Sequence, residues 1–211
     1  FGFRQAPTVG STPATGGQAE YKIKSGLGVG IFKNNPVSPQ HTAGDDGYLQ
    51  DAAAGTMDDG ITGGAGWATS TSNIQKLLGV FNGAFYIDNS TSKPTYANSV
   101  AASTTFAKDY NTGSNDGIGF VNDNPMQEYT TKCTAAVTQA QLLYTFNPQD
   151  GATAGTSEYG QSTVKLTNTG TATTAMFRIV RVANDPANND NSAVDSNVIV
   201  QMSPSACKSN S

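Results

Sequence analysis

Apolar residues occur along this chain in short runs, which are separated by clusters of Gly, Asn, Asp, Ser and Pro. Short apolar runs between turn residues are typical of β-strands, whereas helices need apolar positions at a sustained spacing of about 3.6 residues. The first long run is SGLGVGIFKNNPV at residues 25–37, and it predicts the first long strand and the turn that follows. Gly26, Gly28 and Gly30 would share one face of that strand, leaving room for close packing there.

Further runs predict the rest of an all-β body. The most apolar one, residues 77–87, predicts a core strand with a glycine bulge. Other predicted strands lie at residues 21–24, 118–121, 126–133, 142–146, 164–166, 176–182 and 197–202. Residues 138–141 predict one helical turn, and residues 97–108 fit either a short strand or a helical turn. The expected fold is a single β-barrel or β-sandwich body of about ten short strands, with an extended N-terminal arm and little helix.

The N-terminal residues have a different character from the rest. Pro7, Pro13 and several glycines occur there without any hydrophobic period, which predicts an extended arm. Within it, Phe1, Phe3 and Arg4 form an aromatic-basic cluster of the kind that docks on a protein surface. The predicted units are an arm at residues 1–20, a β-barrel or β-sandwich body at residues 21–203, and a polar C-terminal tail at residues 204–211.

Charge narrows the choice of partners. The formal net charge is −4, and the 12 Lys and Arg residues are scattered rather than clustered. Binding to nucleic acid requires clustered basic residues that neutralise phosphates, so no nucleic-acid partner is predicted. No apolar run approaches the roughly 18 to 20 residues of a membrane-spanning helix, and no signal peptide is recognisable, so no membrane partner is predicted either.

The residues predict no catalytic centre, so the protein is not expected to be an enzyme. His41 is the only histidine, and although it lies near Asp45 and Asp46, no G-x-S-x-G motif supplies a nucleophile. We therefore interpret it as a solvated loop histidine. The glycines at 26–30 do not form a dinucleotide loop, because Ile31 stands where the third glycine is needed and Pro36 prevents the helix that must follow.

Metal and cofactor sites are not predicted either. One histidine and two distant cysteines, Cys133 and Cys207, cannot easily assemble a zinc site, and both cysteines are expected to be reduced and buried. A disulfide between them is the alternative. Acidic and amide-rich loops such as residues 45–46, 58–59 and 122–124 offer oxygen ligands for calcium, but none has EF-hand spacing, so we interpret them as turns.

Several short motifs, taken in order, resemble a family of small virion proteins of tailed bacteriophages. Members open with a Gly-Phe-Arg-Pro arm and continue into a strand and turn similar to S-G-Y-A-T-A-I-F-K-G-D-P-V, and this chain has FGFR followed by SGLGVGIFKNNPV. It departs from the pattern at Gln5, Gly28, Gly30 and residues 34–35. Later matches lie at residues 78–81, 94–96, 120–128, 162–168, 176–190 and 197–202.

The resemblance implies a structural virion protein on the capsid surface, made in the bacterial host cytoplasm. Such a protein decorates and cements the shell by bridging neighbouring major capsid subunits, its principal partner. Phe1, Phe3 and Arg4 would then form a capsid-binding arm. Self-association is expected on geometric grounds, as a trimer at local threefold positions of the shell, with a dimer at twofold positions as the alternative. No catalytic residue, cofactor or metal is implied. The alternative hypothesis is a glycan-binding module whose stacking surface draws on the aromatic residues Trp67, Tyr86, Tyr96, Tyr110 and Tyr129.

Overall fold

A computed structural model describes residues 2–9, 17–40, 47–52, 77–109, 113–149, 155–156, 159–172, 175–184, 186 and 190–203. Antiparallel strands dominate this part of the chain, and its one helical element is a single 3-10 turn at Gln139–Gln141. The all-β prediction is therefore confirmed. More strands are present than predicted, because several two-residue ladders are too short to appear as apolar runs.

The strands of the described residues are numbered in chain order. They are β1 (Arg4–Thr8), β2 (Ala19–Ile23), β3 (Ile31–Phe32), β4 (Pro36–Pro39), β5 (Leu49–Asp51), β6 (Gly79–Ile87), β7 (Pro94–Ala97), β8 (Ser99–Val100), β9 (Gly117–Asn122), β10 (Gln127–Lys132), β11 (Thr145–Gln149), β12 (Gly155–Thr156), β13 (Gln161–Ser162), β14 (Lys165–Ala172), β15 (Phe177–Val182) and β16 (Asn197–Met202).

The first sheet has the order β1-β10-β16-β15-β11-β14. It curls back on itself, because a parallel bridge joins Cys133, just after β10, to Leu166 in β14. The backbone N–H of Thr134 strengthens this contact by donating to the carbonyl oxygen of Leu166 at 2.9 Å. Strand alternation directs the apolar side chains of the sheet into one core. That core includes Tyr129, Phe146, Leu166, Phe177, Ile179, Val198, Val200 and Met202.

The second sheet has the order β2-β9-β6-β4-β5, and β7 also pairs with β6. Its long strand β6 contributes to two cores, since adjacent residues of a strand point to opposite faces. Val80 joins the core of the first sheet, whereas Phe81 joins a second core with Ile23, Leu49 and Val100. The predicted glycine bulge is present, as a register shift between Phe81 and Gly83. Both faces of β6 are thus packed.

The prediction of one long strand at residues 25–37 is wrong. Turns and bends occupy residues 25–30, and β3 and β4 follow as two short strands. Gly26 has a φ of +78°, a left-handed conformation that interrupts a strand. The expected close packing applies only to Gly30, since a Cβ there would lie 3.1 Å from the backbone nitrogen of Ala102, whereas nothing lies within 4 Å of Gly28.

Other boundaries also move. The strand predicted at residues 142–146 begins later, as β11, because Leu143 adopts a left-handed φ of +69°. The prediction of an extended arm is wrong for residues 2–9. They include β1, which pairs with β10 and is part of the first sheet. Residues 10–16 of that arm and the tail at residues 204–211 lie outside the described residues.

Replacing Gly79 tests the close approach of β6 to β9. A Cβ at this position would overlap the backbone oxygen of Asn122 and lie 2.8 Å from Cγ1 of Val121. We expect Gly79→Ala to lower the free energy of unfolding by about 2 kcal/mol, because overpacking against backbone forces strands apart. Gly28→Ala is the matched control, with an expected change below about 1 kcal/mol. Equal losses for the two variants in urea denaturation would contradict this packing.

Candidate functional site

The side chain of Phe3 belongs to the protein's own core. It is fully buried, and its ring stacks on Phe177 with the ring centroids 4.4 Å apart. Tyr129 packs edge-on against Phe177 with a centroid distance of 6.4 Å. The hypothesis that Phe3 contacts a capsid is therefore corrected, because an aromatic side chain with no exposed surface cannot reach another molecule.

The backbone around Phe3 is held equally closely. The N–H of Phe3 donates to the carbonyl oxygen of Asn34 at 2.9 Å. Gly2 has a φ of +59°, and a Cβ there would lie 2.7 Å from both that oxygen and Cβ of Ser162. Only glycine fits between the two segments in this conformation. The start of the described chain thus passes through a narrow gap into the core.

After Phe3 the chain forms β1 at the edge of the first sheet. Gln5 pairs with Tyr129 and Thr8 with Gln127, with a register shift between them. The buried amide of Gln127 holds the shifted segment: its nitrogen donates to the carbonyl oxygens of Ala6 and Glu128, and its oxygen accepts from the Gln5 amide at 3.1 Å. Pro7 is tolerated in the shifted region because an edge strand leaves N–H groups outside the ladder.

The outer surface of β1 is the best-defined candidate contact surface in this region. Arg4, Pro7 and Val9 are exposed there. The N–H of Val9 donates to the carbonyl oxygen of Met126 at 3.0 Å. The side chain of Val9 is 38% exposed, and that of Met126 is 51% exposed. We name Arg4, Pro7, Val9 and Met126 the N-terminal edge. Its proline and register shift discourage addition of another strand, so contacts would be made through side chains.

A small cleft lies between the two sheets behind β1. Its volume is only about 20 Å³, and its lining includes Phe3 and Tyr129. The Tyr129 hydroxyl donates to the backbone oxygen of Asn122 at 3.2 Å. Amide side chains form the remaining polar lining: Gln5, Gln18, Asn34, Asn82 and Asn122. These neutral amides can donate and accept hydrogen bonds, but they do not exchange protons near neutral pH.

An ion pair stiffens the outer face of the first sheet. The buried carboxylate of Glu128 in β10 accepts two hydrogen bonds from Arg181 in β15, at 3.1 Å and 2.6 Å. This two-pronged geometry spans the intervening strand β16 and matches the planar guanidinium to the carboxylate. Beside it, Arg178 donates to Oε1 of Gln201 at 2.9 Å. These charged groups therefore have structural partners within the sheet.

Cys133 is a free, buried thiol, as the sequence predicted. Burial raises the pKa of this thiol to about 12, which keeps it protonated and unreactive near neutral pH.

Asp88 shapes a turn, because its carboxylate accepts hydrogen bonds from Ser90 and Thr91. Those bonds lower the pKa of Asp88 to about 2. Within the described ranges, no group of three His, Cys, Asp or Glu side chains could hold a metal ion.

Several sequence candidates lie outside the described residues. Phe1 of the proposed capsid-binding arm is one, and Trp67 and Tyr110 of the proposed stacking surface are others. The remaining candidates there are His41, Asp45, Asp46, Asp58, Asp59 and Cys207.

The aromatic residues of the glycan hypothesis do not converge on one surface in the described part of the chain. Tyr129 is buried, and Tyr86 stacks on Phe106 with ring centroids 4.7 Å apart. Tyr96 in β7 differs from them. It is 77% exposed, and its ring lies against Phe85 with a centroid distance of 4.8 Å.

The fold defines an all-β protein of antiparallel sheets. No protein-family model matches the chain, and no curated protein or solved structure matches it either. Among the described residues, no helix has the length and apolar character needed to span a membrane.

Sequence reasoning missed Val9, Met126 and Gln127. Val9 and Met126 meet only because β1 pairs with β10, and nothing near either residue signals that pairing. Gln127 follows the turn residues 122–126 and lies on the same face of a predicted strand as Tyr129. This placement was the one usable signal, because a polar side chain is buried on such a face only when it is hydrogen-bonded.

Replacing Phe3 tests its role in the core. Phe3→Ala removes a fully buried ring, so we expect the free energy of unfolding to fall by about 3 to 5 kcal/mol. Arg4→Ala changes an exposed neighbour, and we expect a change of about 0.5 kcal/mol or less. Urea denaturation measures both values. A loss below about 1 kcal/mol for Phe3→Ala would show that the ring is not part of the cooperative core.

Proposed function

We propose that this protein is a structural virion protein that decorates and cements the capsid shell of a tailed phage by bridging neighbouring major capsid subunits. The observation that carries the proposal is the order of the motifs that resemble such proteins. Several include strands of the fold: the second part of the first long motif, residues 31–37, contains β3, a turn and the start of β4, residues 120–128 contain the end of β9, a turn and the start of β10, and the last two motifs include β15 and β16. The likeness therefore involves strands that build both sheets.

The N-terminal edge supplies a reasonable contact surface for this function. Val9 with Met126 offers apolar area at one end of β1, and Arg4 is an exposed basic residue at its other end. Phe3 has a different role from the one first expected. Because its ring is fixed in the core, β1 is already ordered before binding, and less conformational entropy is lost on contact.

Cementing requires no catalytic group. When one copy bridges two capsid subunits, the second contact forms at a high effective concentration, so individually weak contacts hold together. A protein that binds only the assembled shell stabilises that shell by mass action. The proposal therefore requires many copies on each virion and a shell that withstands more heat with the protein bound.

The proposal is tested with purified shells that lack this protein. We expect the double variant Val9→Ser/Met126→Ser to bind shells about tenfold more weakly, since it removes the apolar part of the N-terminal edge. Val29→Ser is the matched control, because Val29 is 40% exposed but lies outside the edge. Sedimentation of shells with bound protein measures the affinities.

Two results would overturn the proposal. One is absence of the protein from purified virions by mass spectrometry. The other is failure of the unaltered protein to bind shells at all. Unchanged binding by the double variant, with shell binding otherwise intact, would instead remove only the N-terminal edge as the contact surface.

A second candidate function, glycan binding, is favoured by one observation. Tyr96 presents most of its ring to solvent, and Phe85 supports it from beside. A supported and exposed aromatic ring suits the apolar face of a sugar, because stacking there buries area without moving the side chain. Under this hypothesis β7 would carry the binding surface of a phage fibre domain or a secreted lectin-like protein.

Glycan binding predicts saturable binding to at least one sugar on a glycan array. Tyr96→Ala should abolish that signal, because the ring is the contact. Tyr159→Ala should retain it, since Tyr159 is also an exposed tyrosine, at 67%, but lies outside β7. A blank array for the unaltered protein would exclude the sugars tested, and equal signals from both variants would exclude Tyr96.

A further inference from the structure

The fold gathers basic residues that are scattered in the sequence. The six strands of the first sheet contain five of the 12 Lys and Arg residues but only one of the 16 Asp and Glu residues. The basic residues are Arg4, Lys132, Lys165, Arg178 and Arg181, and the acidic residue is Glu128. In a chain with a net charge of −4, the strands of this sheet are therefore locally basic.

Strand register places Arg4 and Arg181 in one row across the sheet. Residues paired between neighbouring strands point to the same side. Arg4 in β1 pairs with Thr130 in β10, and Thr130 pairs with Ile199 in β16. Arg181 in β15 completes the row by pairing with Ile199. Because Tyr129, next to Thr130, faces the core, this row lies on the outer face.

The neighbouring row contains Arg178. Glu128 pairs with Gln201, and Gln201 pairs with Arg178. Glu128 and Lys132 each lie two residues from Thr130 in β10, so they share its outer face. We call four residues the basic face: Arg4, Lys132, Arg178 and Arg181.

A β-bulge turns Arg181 to this face. Ile179 is part of the core, and regular alternation would direct Arg181 to the core as well. The register shifts between these two residues, so Val180 is extra and Arg181 pairs with Ile199. Val182 then packs against the core again. Bulges often re-aim a side chain in this way next to functional sites.

Acidic residues close to this sheet already have partners. The buried carboxylate of Glu128 accepts two hydrogen bonds from Arg181. Asp195 pairs with Lys165 at 2.5 Å, which removes that lysine from consideration. In the turn before β10, Asp123 accepts from the Tyr21 hydroxyl of the second sheet at 2.7 Å.

Arg178 differs from Arg181, because it has no acidic partner among the described residues. It is half-buried, and its Nη2 donates to Oε1 of Gln201, a neutral amide, at 2.9 Å. Its Nε is buried and has no hydrogen-bond partner in the described part of the chain. A buried N–H of a charged group is costly to leave unpaired, and a carboxylate matches the guanidinium fork with two oxygens. Arg178 is therefore prepared to bind an anion.

We propose that the basic face, centred on Arg178, binds carboxylates of a capsid subunit. This inference rests on the proposed function and names the chemistry of one shell contact. An arginine fork recognises a carboxylate through two parallel hydrogen bonds, as Arg181 does with Glu128 within the sheet. Because the chain as a whole is acidic, attraction confined to this face would also orient the protein on an acidic shell.

Nucleic acid suits this face less well than carboxylates do. Proteins that bind a duplex through its phosphates commonly neutralise about six to ten of them. The basic face has four cations, and Arg4 and Arg181 are three strand spacings apart, or roughly 14 Å. Such separated cations match individual carboxylates on a protein surface better than a continuous phosphate backbone.

Shells that lack this protein test the inference through salt and a matched pair of variants, with sedimentation as the measurement. We expect binding of the unaltered protein to weaken about tenfold between about 50 and 500 mM NaCl, because salt screens charge pairs. Arg178→Gln should weaken binding about tenfold at the lower salt concentration and reduce the salt dependence. Lys93→Gln removes the same charge from the exposed turn before β7, and it should change binding less than about twofold.

Arg178 is the appropriate residue to replace, because loss of Arg181 would leave the buried carboxylate of Glu128 unpaired and destabilise the sheet. Thermal unfolding checks that Arg178→Gln remains folded. A second variant, Arg178→Lys, keeps the charge but not the fork, so it should retain the salt dependence and lose less affinity. The salt dependence of the unaltered protein is a further measurement that needs no variant.

Several results would overturn the inference while leaving shell binding intact. They are salt-independent binding, unchanged binding by Arg178→Gln, and equal weakening by Arg178→Gln and Lys93→Gln. Binding of the purified protein to a DNA duplex, lost in Arg178→Gln, would assign the basic face to phosphates instead. Failure of the unaltered protein to bind shells at all would overturn the proposed function, and this inference with it.

Discussion

The stacking of Phe3 on Phe177 decides what the N-terminal segment of this protein does. Once that ring is buried between β15 and Tyr129, the chain that follows must run along the edge of β10. Burial of an aromatic side chain of this size is worth a few kcal/mol, more than the hydrogen bonds of a short edge strand supply alone. The edge strand therefore depends on the ring, and a segment that would otherwise extend into solvent becomes part of the first sheet.

Packing on both faces of β6 has a similar consequence for the whole body. Val80 and Phe81 are adjacent in sequence but belong to different cores, so neither core can open without disturbing the same strand. The close approach of Gly79 to Asn122 leaves no space for β6 to shift against β9. A rigid body of this kind suits a protein that works by holding other molecules in fixed positions, because little entropy is lost when it binds.

The sequence predicted the elements whose residues alternate regularly. Strands β15 and β16 were recognised because apolar residues face one core in each. Residues 25–37 were misinterpreted because apolar residues between glycines suggest a strand, whereas the positive φ of Gly26 is set by a loop that contacts residues 103 and 104. Leu143 was placed within a strand for the same reason, since a leucine gives no local sign of a left-handed backbone.

The candidate contact surfaces were harder to predict than the fold. In the sequence, Phe3 and Arg4 belong to the same candidate docking cluster. The long-range contact with Phe177 buries Phe3, whereas Arg4 stays exposed. Val9 and Met126 are far apart in sequence and become neighbours through the β1–β10 pairing. Whether an apolar side chain is exposed depends on which strands pair. No local sequence pattern encodes the order of the strands in a sheet.

The N-terminal edge lies on β1 at one margin of the first sheet, and the buried ring of Phe3 fixes that strand in the core. Under the proposed function, one copy bridges two capsid subunits, so the position of its contact surfaces relative to the body matters. A fixed edge favours the second contact, because the first contact already sets the distance and orientation to the neighbouring subunit. The burial of Phe3 would then serve binding indirectly, by ordering the strand that carries the exposed residues before any contact is made.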